Sequence, residues 1–201
     1  MHSLVVLRQA IEAHPVRVQT ECGTGSQVLI GSLPQQVITR EIDDYNECMP
    51  ITITLLPPDS PDAVNLINEL EEHLGSFGYP PGSRHGFSVE KLITERVPFF
   101  VMYDEGIPIG CGGVKLFGNE YGELKRMFIR PAYQGKGFGQ AMLQHLADYA
   151  RRHQVVLLRL ETGIHQLAAI KLYERFGFRR CGPFGEYRDD PVSVFMEMGL
   201  A

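Results

Sequence analysis

Between Glu123 and Gly139 the chain reads Glu-Leu-Lys-Arg-Met-Phe-Ile-Arg-Pro-Ala-Tyr-Gln-Gly-Lys-Gly-Phe-Gly, and few folds can use such a run. Its first part, Tyr121 to Arg130, carries the branched and aromatic residues of a strand and is closed by Pro131, which has no N–H for a ladder. Beyond Gly139, the residues Phe138, Ala141, Met142, Leu146 and Tyr149 recur at helical spacing, so a helix is expected to about Arg152. Glycines at a helix entry let a ligand approach the backbone closely. The N–H groups of the first turn, together with the positive end of the helix dipole, then make an anion site. A phosphate-bearing ligand is expected there.

Two familiar phosphate loops do not fit. A P-loop places Ser or Thr after its Lys, whereas Lys136 is followed by Gly137. A dinucleotide fingerprint has G-x-G-x-x-G directly after a strand, whereas Gly135, Gly137 and Gly139 follow a Pro-Ala-Tyr turn. The pattern that fits is Q-x-x-G-x-G, at Gln134, Gly137 and Gly139. Here the chain resembles the GNAT superfamily of acyl-CoA-dependent N-acyltransferases, whose pyrophosphate loop has this form and setting. A second segment, Ala169-Ile170-Lys171-Leu172-Tyr173-Glu174-Arg175-Phe176-Gly177-Phe178, looks like that superfamily's A-x-x-x-Y-x-x-x-G-F helix, in the right order along the chain.

The rest of the sequence is compatible. Ile51 to Leu56 reads as a strand ended by Pro57-Pro58. Ser60 and Pro61 open a helix whose apolar face is Ala63, Leu66, Ile67, Leu70 and Leu74, stopped by Gly75. A short helix is expected near Ser88 to Thr94, then strands Pro98 to Tyr103 and Ile107 to Leu116 around the turn Asp104-Glu105-Gly106. Val155 to Leu160 is aliphatic enough for a buried parallel strand. Gln166 to Phe176 reads as a helix stopped by Gly177, and the last strand runs about Val192 to Met198. The order β-α-α-β-β-β-α-β-α-β matches the GNAT fold over residues 49–201. That fold is an α/β domain with a mixed, mostly antiparallel sheet, helices on both faces and a splayed central strand pair. Residues 1–48 lack sustained periodicity and are read as a weakly structured extension or a consequence of start-site choice, since Met49 opens a sequence that looks complete.

With 44% hydrophobic and 21% charged residues and a net charge of −5, the chain has a globular profile and no overall basic footprint for nucleic acid. Its four cysteines (Cys22, Cys48, Cys111, Cys181) show no ligand spacing, so no metal is expected. No apolar run is long enough to span a bilayer, and Met1 to Ala10 has no convincing leader; a cytoplasmic protein is expected.

The resemblance implies roles. Tyr173 would be the general acid for a leaving thiolate, whose thiol has a pKa of about 8.5; its spacing alone favours a core aromatic, and the motif context reverses that. Glu123 would be the general base for an amine that arrives as ammonium, or would bind the acceptor's cation, or is a strand-end charge. The backbone of Met127, Phe128 and Ile129 would hold acetyl and pantetheine beside a bulge, with the Met127 N–H polarising the acetyl carbonyl. Gln134, Gly135, Lys136, Gly137, Phe138 and Gly139 would hold the pyrophosphate. Gln166 stands where the family commonly has Asn, facing the cofactor. Acceptor contacts are sought at Tyr79, Arg84, Lys125, Arg126 and Tyr187, and the basic members suit an acceptor bearing carboxylate or phosphate. The implied reaction is acetyl transfer from acetyl-CoA to a small-molecule amine. A protein N-terminus or lysine as acceptor, a non-catalytic acyl-CoA-binding module, and assembly as a homodimer are left open.

Overall fold

A computed structural model describes residues 51–78 and 87–200, together with the backbone of Val16–Arg17. The remainder of residues 1–50 and the segment 79–86, which contains Tyr79 and Arg84, lie outside the described residues. Among the described residues thirteen elements follow one another. Strands β1 (Val16–Arg17) and β2 (Thr52–Leu55) are followed by helices α1 (Pro61–Gly75) and α2 (Val89–Thr94). Strands β3 (Phe99–Asp104), β4 (Ile107–Phe117) and β5 (Tyr121–Ile129) come next. A 3-10 turn over Pro131–Tyr133 leads into α3 (Phe138–Arg152), and β6 (Leu157–Gly163), α4 (Leu167–Phe176), β7 (Arg179–Arg180) and β8 (Ser193–Gly199) complete the domain.

The strands form one sheet in the order β1-β2-β3-β4-β5-β6-β8-β7. All pairs are antiparallel except β5 with β6. Alternation along the strands sorts side chains to two cores. On β3, Phe99 and Val101 pack with Leu66, Leu70 and Leu92 of α1 and α2. Phe100 and Met102 point the other way, into the cluster under Met142, Leu146 and Ile170 of α3 and α4. Helices therefore cover both faces, as the fold class requires.

Two irregularities position the site. Parallel pairing of β5 with β6 is confined to Gly122↔Leu158 and Glu123↔Arg159, after which the strands diverge. On its other edge β5 carries a bulge against β4: the register runs Gly113↔Lys125, then Cys111↔Phe128, and Arg126 turns through φ +54°. The bulge thus faces β4, while the splay opens toward β6.

The structure differs from the sequence reading in small ways. Strand β7, two exposed arginines pairing with Met196 and Glu197, carries no apolar signal and was not expected. Ser60 stands at the N-cap of α1 in extended conformation, yet its hydroxyl is buried without a hydrogen bond among the described residues. Ser88 does cap α2, accepting from Lys91 N–H at 3.2 Å.

Candidate active site

The site grows from the splay. Where β5 and β6 part, a cavity of about 130 Å³ opens, walled by Leu124 and Met127 on one side and Leu160 and Thr162 on the other. Gln166 and Tyr173 of α4 complete it. Tyr173 is 7% exposed, edge-on to Phe178 at 5.8 Å. Burial, and then the Glu161 carboxylate, push its hydroxyl pKa well above the ordinary phenol value. It is therefore a phenol at any working pH, and among the described residues no hydrogen bond of its hydroxyl is found. Glu161 on β6 also lines the cavity and accepts from Ser193 Oγ at 2.7 Å.

At the far end of β5 lies the glycine loop. Gly135 and Gly137 adopt φ +76° and +87°, and an added Cβ at either would point into open space. Gly137 is the N-cap of α3, and the first helical donor is the N–H of Ala141, bonded to Gly137 O at 3.0 Å. The N–H groups of Gly137, Gly139 and Gln140 precede it, so the end is built to meet an anion. Gln134 ties the loop to the strand: its side-chain amide donates to Ile129 O at 2.9 Å. Lys136 is exposed, its ammonium 5.2 Å from the Tyr133 ring. Gly139 has a packing reason as well, because a Cβ there would lie 2.9 Å from Leu172 Cδ2 of α4. The side chains of Phe128, Ile129 and Phe138 are core, leaving only their main chain for a ligand.

The polar residues of β5 are drawn into the protein. Glu123 is 4% and Lys125 9% exposed, and strand alternation sets them on one face. Lys125 Nζ donates to Glu123 Oε1 at 2.6 Å and to the Tyr187 hydroxyl at 2.9 Å; that hydroxyl donates to the same Oε1 at 2.7 Å. Burial lowers the Lys125 pKa despite Glu123's attraction, and burial followed by the Glu123 charge raises that of Tyr187. Arg126, sought as an acceptor contact, is engaged internally: its Nε donates to Phe87 O at 2.7 Å, and it pairs with Glu71 of α1. The guanidinium fastens α1 and Phe87 to the bulge. Its neighbour in the chain, Lys125, lines both cavities, whereas Arg126 lines only the first.

A second cavity, about 290 Å³, lies beyond Lys125 and holds Glu123 in its wall. Phe87, Lys125 and Tyr187 line both cavities, so these three side chains are where the two spaces meet. Sequence reasoning named Lys125 and Tyr187 but missed Phe87, Glu161 and Lys115. The alternation of β4 and the polar end of an aliphatic β6 were their only local signals. Among the described residues no helix is long and apolar enough to cross a membrane, and no cluster of His, Cys, Asp or Glu could hold a metal ion.

A splayed α/β sheet, with a buried phenol at its opening and a donor-rich helix end beside it, defines a domain that takes an extended ligand with an anionic end. Comparison with known proteins names the class. The profile of the Acetyltransferase (GNAT) family matches residues 65–178. The IAA acetyltransferase of Azospirillum brasilense is 38% identical over 151 residues, which cover 75% of this chain and 98% of that protein. The spermine/spermidine N(1)-acetyltransferase of Bacillus subtilis is 41% identical over 105 residues, 46% of this chain and 66% of that one. A crystal structure from Klebsiella pneumoniae, assigned to the acyl-CoA N-acyltransferases, superposes with a TM-score of 0.64 at 34% identity, covering 75% of this chain and 98% of that one. The chain belongs to the acetyltransferase (GNAT) family and is an acetyl-CoA-dependent N-acetyltransferase.

Proposed function

We propose that the protein moves an acetyl group from acetyl-CoA to the primary amine of a small molecule by direct attack within a ternary complex. The observation that carries this reading is the pair of cavities meeting at Lys125 and Tyr187: one runs between the splayed strands to Tyr173, the other is walled by Glu123. A donor and an acceptor approaching from opposite sides would meet there. The residues fit the donor. The positive-φ glycines and first-turn amides of α3 suit a diphosphate, and the unpaired edge of β5 beyond Glu123 suits an amide-bearing arm laid alongside it.

Acetyl-CoA, when bound, supplies an activated acetyl thioester. The N–H of Met127 donates to the acetyl oxygen as negative charge develops on it. The acceptor nitrogen bonds to the carbonyl carbon, the C–S bond breaks, and its electron pair stays on sulfur. Tyr173 donates its O–H to that sulfur. With its pKa held above that of a thiol, the phenol favours a strong hydrogen bond to the thiolate over full transfer, and the thiolate leaves as such or is protonated from solvent. The proton shed by the amine goes to Glu123, whose Oε1 is held by Lys125 and Tyr187. Gln166 and Lys136 are read as donor contacts at the two ends of the arm.

The reading is tested with the purified protein by calorimetry with coenzyme A, followed by thiol release and product mass from a panel of amines with acetyl-CoA. Uptake of the coenzyme with N-acetylated small amines as products is expected. Coenzyme uptake with acetylation of peptide amines alone would refute the small-molecule acceptor, and absence of uptake would refute the donor site.

A further inference from the structure

The chain holds five lysines, and the fold treats one of them differently. Lys136 and Lys171 are exposed, Lys91 has a half-exposed side chain, and that of Lys115 is 24% exposed. Lys125 is buried, its side chain 10% exposed. Lys91 and Lys115 line the second cavity, whereas Lys125 also lines the first, the one that ends at Tyr173. On the acetyl-transfer reading, the donor's carbonyl and the acceptor's amine meet beside Lys125 and Tyr187. A primary amine of the protein itself already stands at that meeting point.

Its surroundings supply what an attacking amine needs. A lysine is a nucleophile only after it has lost a proton, and burial lowers the Lys125 pKa against the pull of Glu123. Glu123 Oε1, 2.6 Å from Nζ, is within reach to take that proton. The Tyr187 hydroxyl, 2.9 Å from Nζ and donating to the same Oε1, fixes both groups. The Phe87 ring, its centroid 4.6 Å from Nζ, lines both cavities as well.

We propose that, with acetyl-CoA bound and no amine acceptor present, the protein acetylates its own Lys125. Glu123 takes one proton from the ammonium, and the freed nitrogen bonds to the acetyl carbonyl carbon. The C–S bond breaks with its electron pair on sulfur, and the nitrogen's second proton goes to that sulfur directly or through solvent. The products are an Nε-acetylated Lys125, the free thiol of coenzyme A and a protonated Glu123. This inference rests on the acetyl-transfer reading and makes Lys125 an acceptor of that same site. The acetamide carries no charge and keeps one N–H where the ammonium had three, so the ion pair with Glu123 ends. Its acetyl group stands where donor and acceptor would meet, and the modification is therefore self-limiting.

The test uses the unmodified, full-length protein in an amine-free buffer, with acetylation of each of the five lysines followed by peptide mass spectrometry. Unaided acetylation follows exposure, so acetic anhydride should mark Lys91, Lys136 and Lys171 first and spare Lys125. With acetyl-CoA the order should invert. Lys125 should lead each of the others by about tenfold or more, a small part of what proximity can give. Its rate should not change on dilution of the protein, because the transfer is within one molecule. Excess coenzyme A should suppress it while leaving the labelling of exposed lysines unchanged. An unlabelled Lys125, a lead already present with the anhydride, a rate that falls on dilution, or indifference to coenzyme A each overturns the proposal. Calorimetry with coenzyme A separates the failures. With uptake of the coenzyme and acetylation of small amines, an unlabelled Lys125 sinks this inference alone; without uptake, the donor site falls and this inference with it.

Discussion

Replacing Glu123 by Gln should destabilise the fold, and raising the pH should recover much of the loss. Glu123 and Lys125 have side chains 5% and 10% exposed and are joined at 2.6 Å. Gln keeps an acceptor oxygen for Lys125 and Tyr187 but removes the charge that offsets a buried ammonium. Breaking one side of a buried pair costs about 3–5 kcal/mol; the retained hydrogen bonds place this change near the lower end. Lys125 has an escape, since it can give up its proton. For an amine with an ordinary pKa of about 10.4 this costs about 1.4 kcal/mol per pH unit, which caps the loss at about 5 kcal/mol at pH 7 and about 2 kcal/mol at pH 9. The sign follows from proton counts. In the variant the folded lysine binds fewer protons than the unfolded one, so stability rises with pH up to the unfolded pKa. Lys115 nearby adds to the depression, and Glu161 opposes it. Urea unfolding followed by far-UV circular dichroism suits a chain with no Trp. The expected deficit is about 3 kcal/mol at pH 7 and under about 2 kcal/mol at pH 9, with most of it restored by adding Lys125→Met. A deficit below about 0.5 kcal/mol at pH 7, or one that does not change with pH, would refute the view that this pair is buried and mutually dependent.

Three further outcomes are expected. Tyr173→Phe should lower kcat by about 10²-fold, the lower end of acid–base effects. Its fold stability and coenzyme affinity should stay nearly constant, because among the described residues no group is found hydrogen-bonded to that hydroxyl; stopped-flow thiol release and calorimetry separate the two. Gly137→Ala should cost about 1–2 kcal/mol of left-handed strain at φ +87° and weaken coenzyme binding about tenfold, with thermal unfolding and calorimetry as readouts. His145 is buried edge-on to Phe100 at 4.7 Å, with Nε2 unpartnered among the described residues. Burial, and then Arg152, bring its pKa down to about 4, with Asp148 opposing. Above pH 6.5 both states hold it neutral; below, the unfolded state takes up a proton that the folded state refuses. Stability should therefore fall by about 3 kcal/mol as the pH drops from 7 to 4, and His145→Phe should flatten that part of the pH profile.

Much of the fold was legible because its signals are local. Pro57-Pro58, Gly75, Pro131 and Gly177 punctuate elements through their own backbone chemistry. Helical and strand periods needed only short windows, and together with the Pro-Ala-Tyr turn they gave every element of residues 51–200 apart from the two exposed arginines of β7. The glycine loop and the Tyr173 helix were legible for the same reason, since each is a continuous segment whose spacing is its geometry. That Glu123 and Lys125 share a face also followed from alternation.

Tertiary structure alone decided what those side chains meet. Tyr187, 64 residues beyond Glu123, closes the buried cluster by way of a loop with no periodicity to place it. Arg126 and Lys125 are adjacent cations in the sequence, yet the bulge turns the first onto Glu71 and Phe87 and leaves the second between two cavities. The ammonium groups around the Phe87 ring come from α2, β4 and β5, which only the folded sheet brings together. A chain specifies its local geometry residue by residue. Charge pairing, burial and cavity shape are properties of contacts between distant segments, and they exist only once the packing that excludes water has formed.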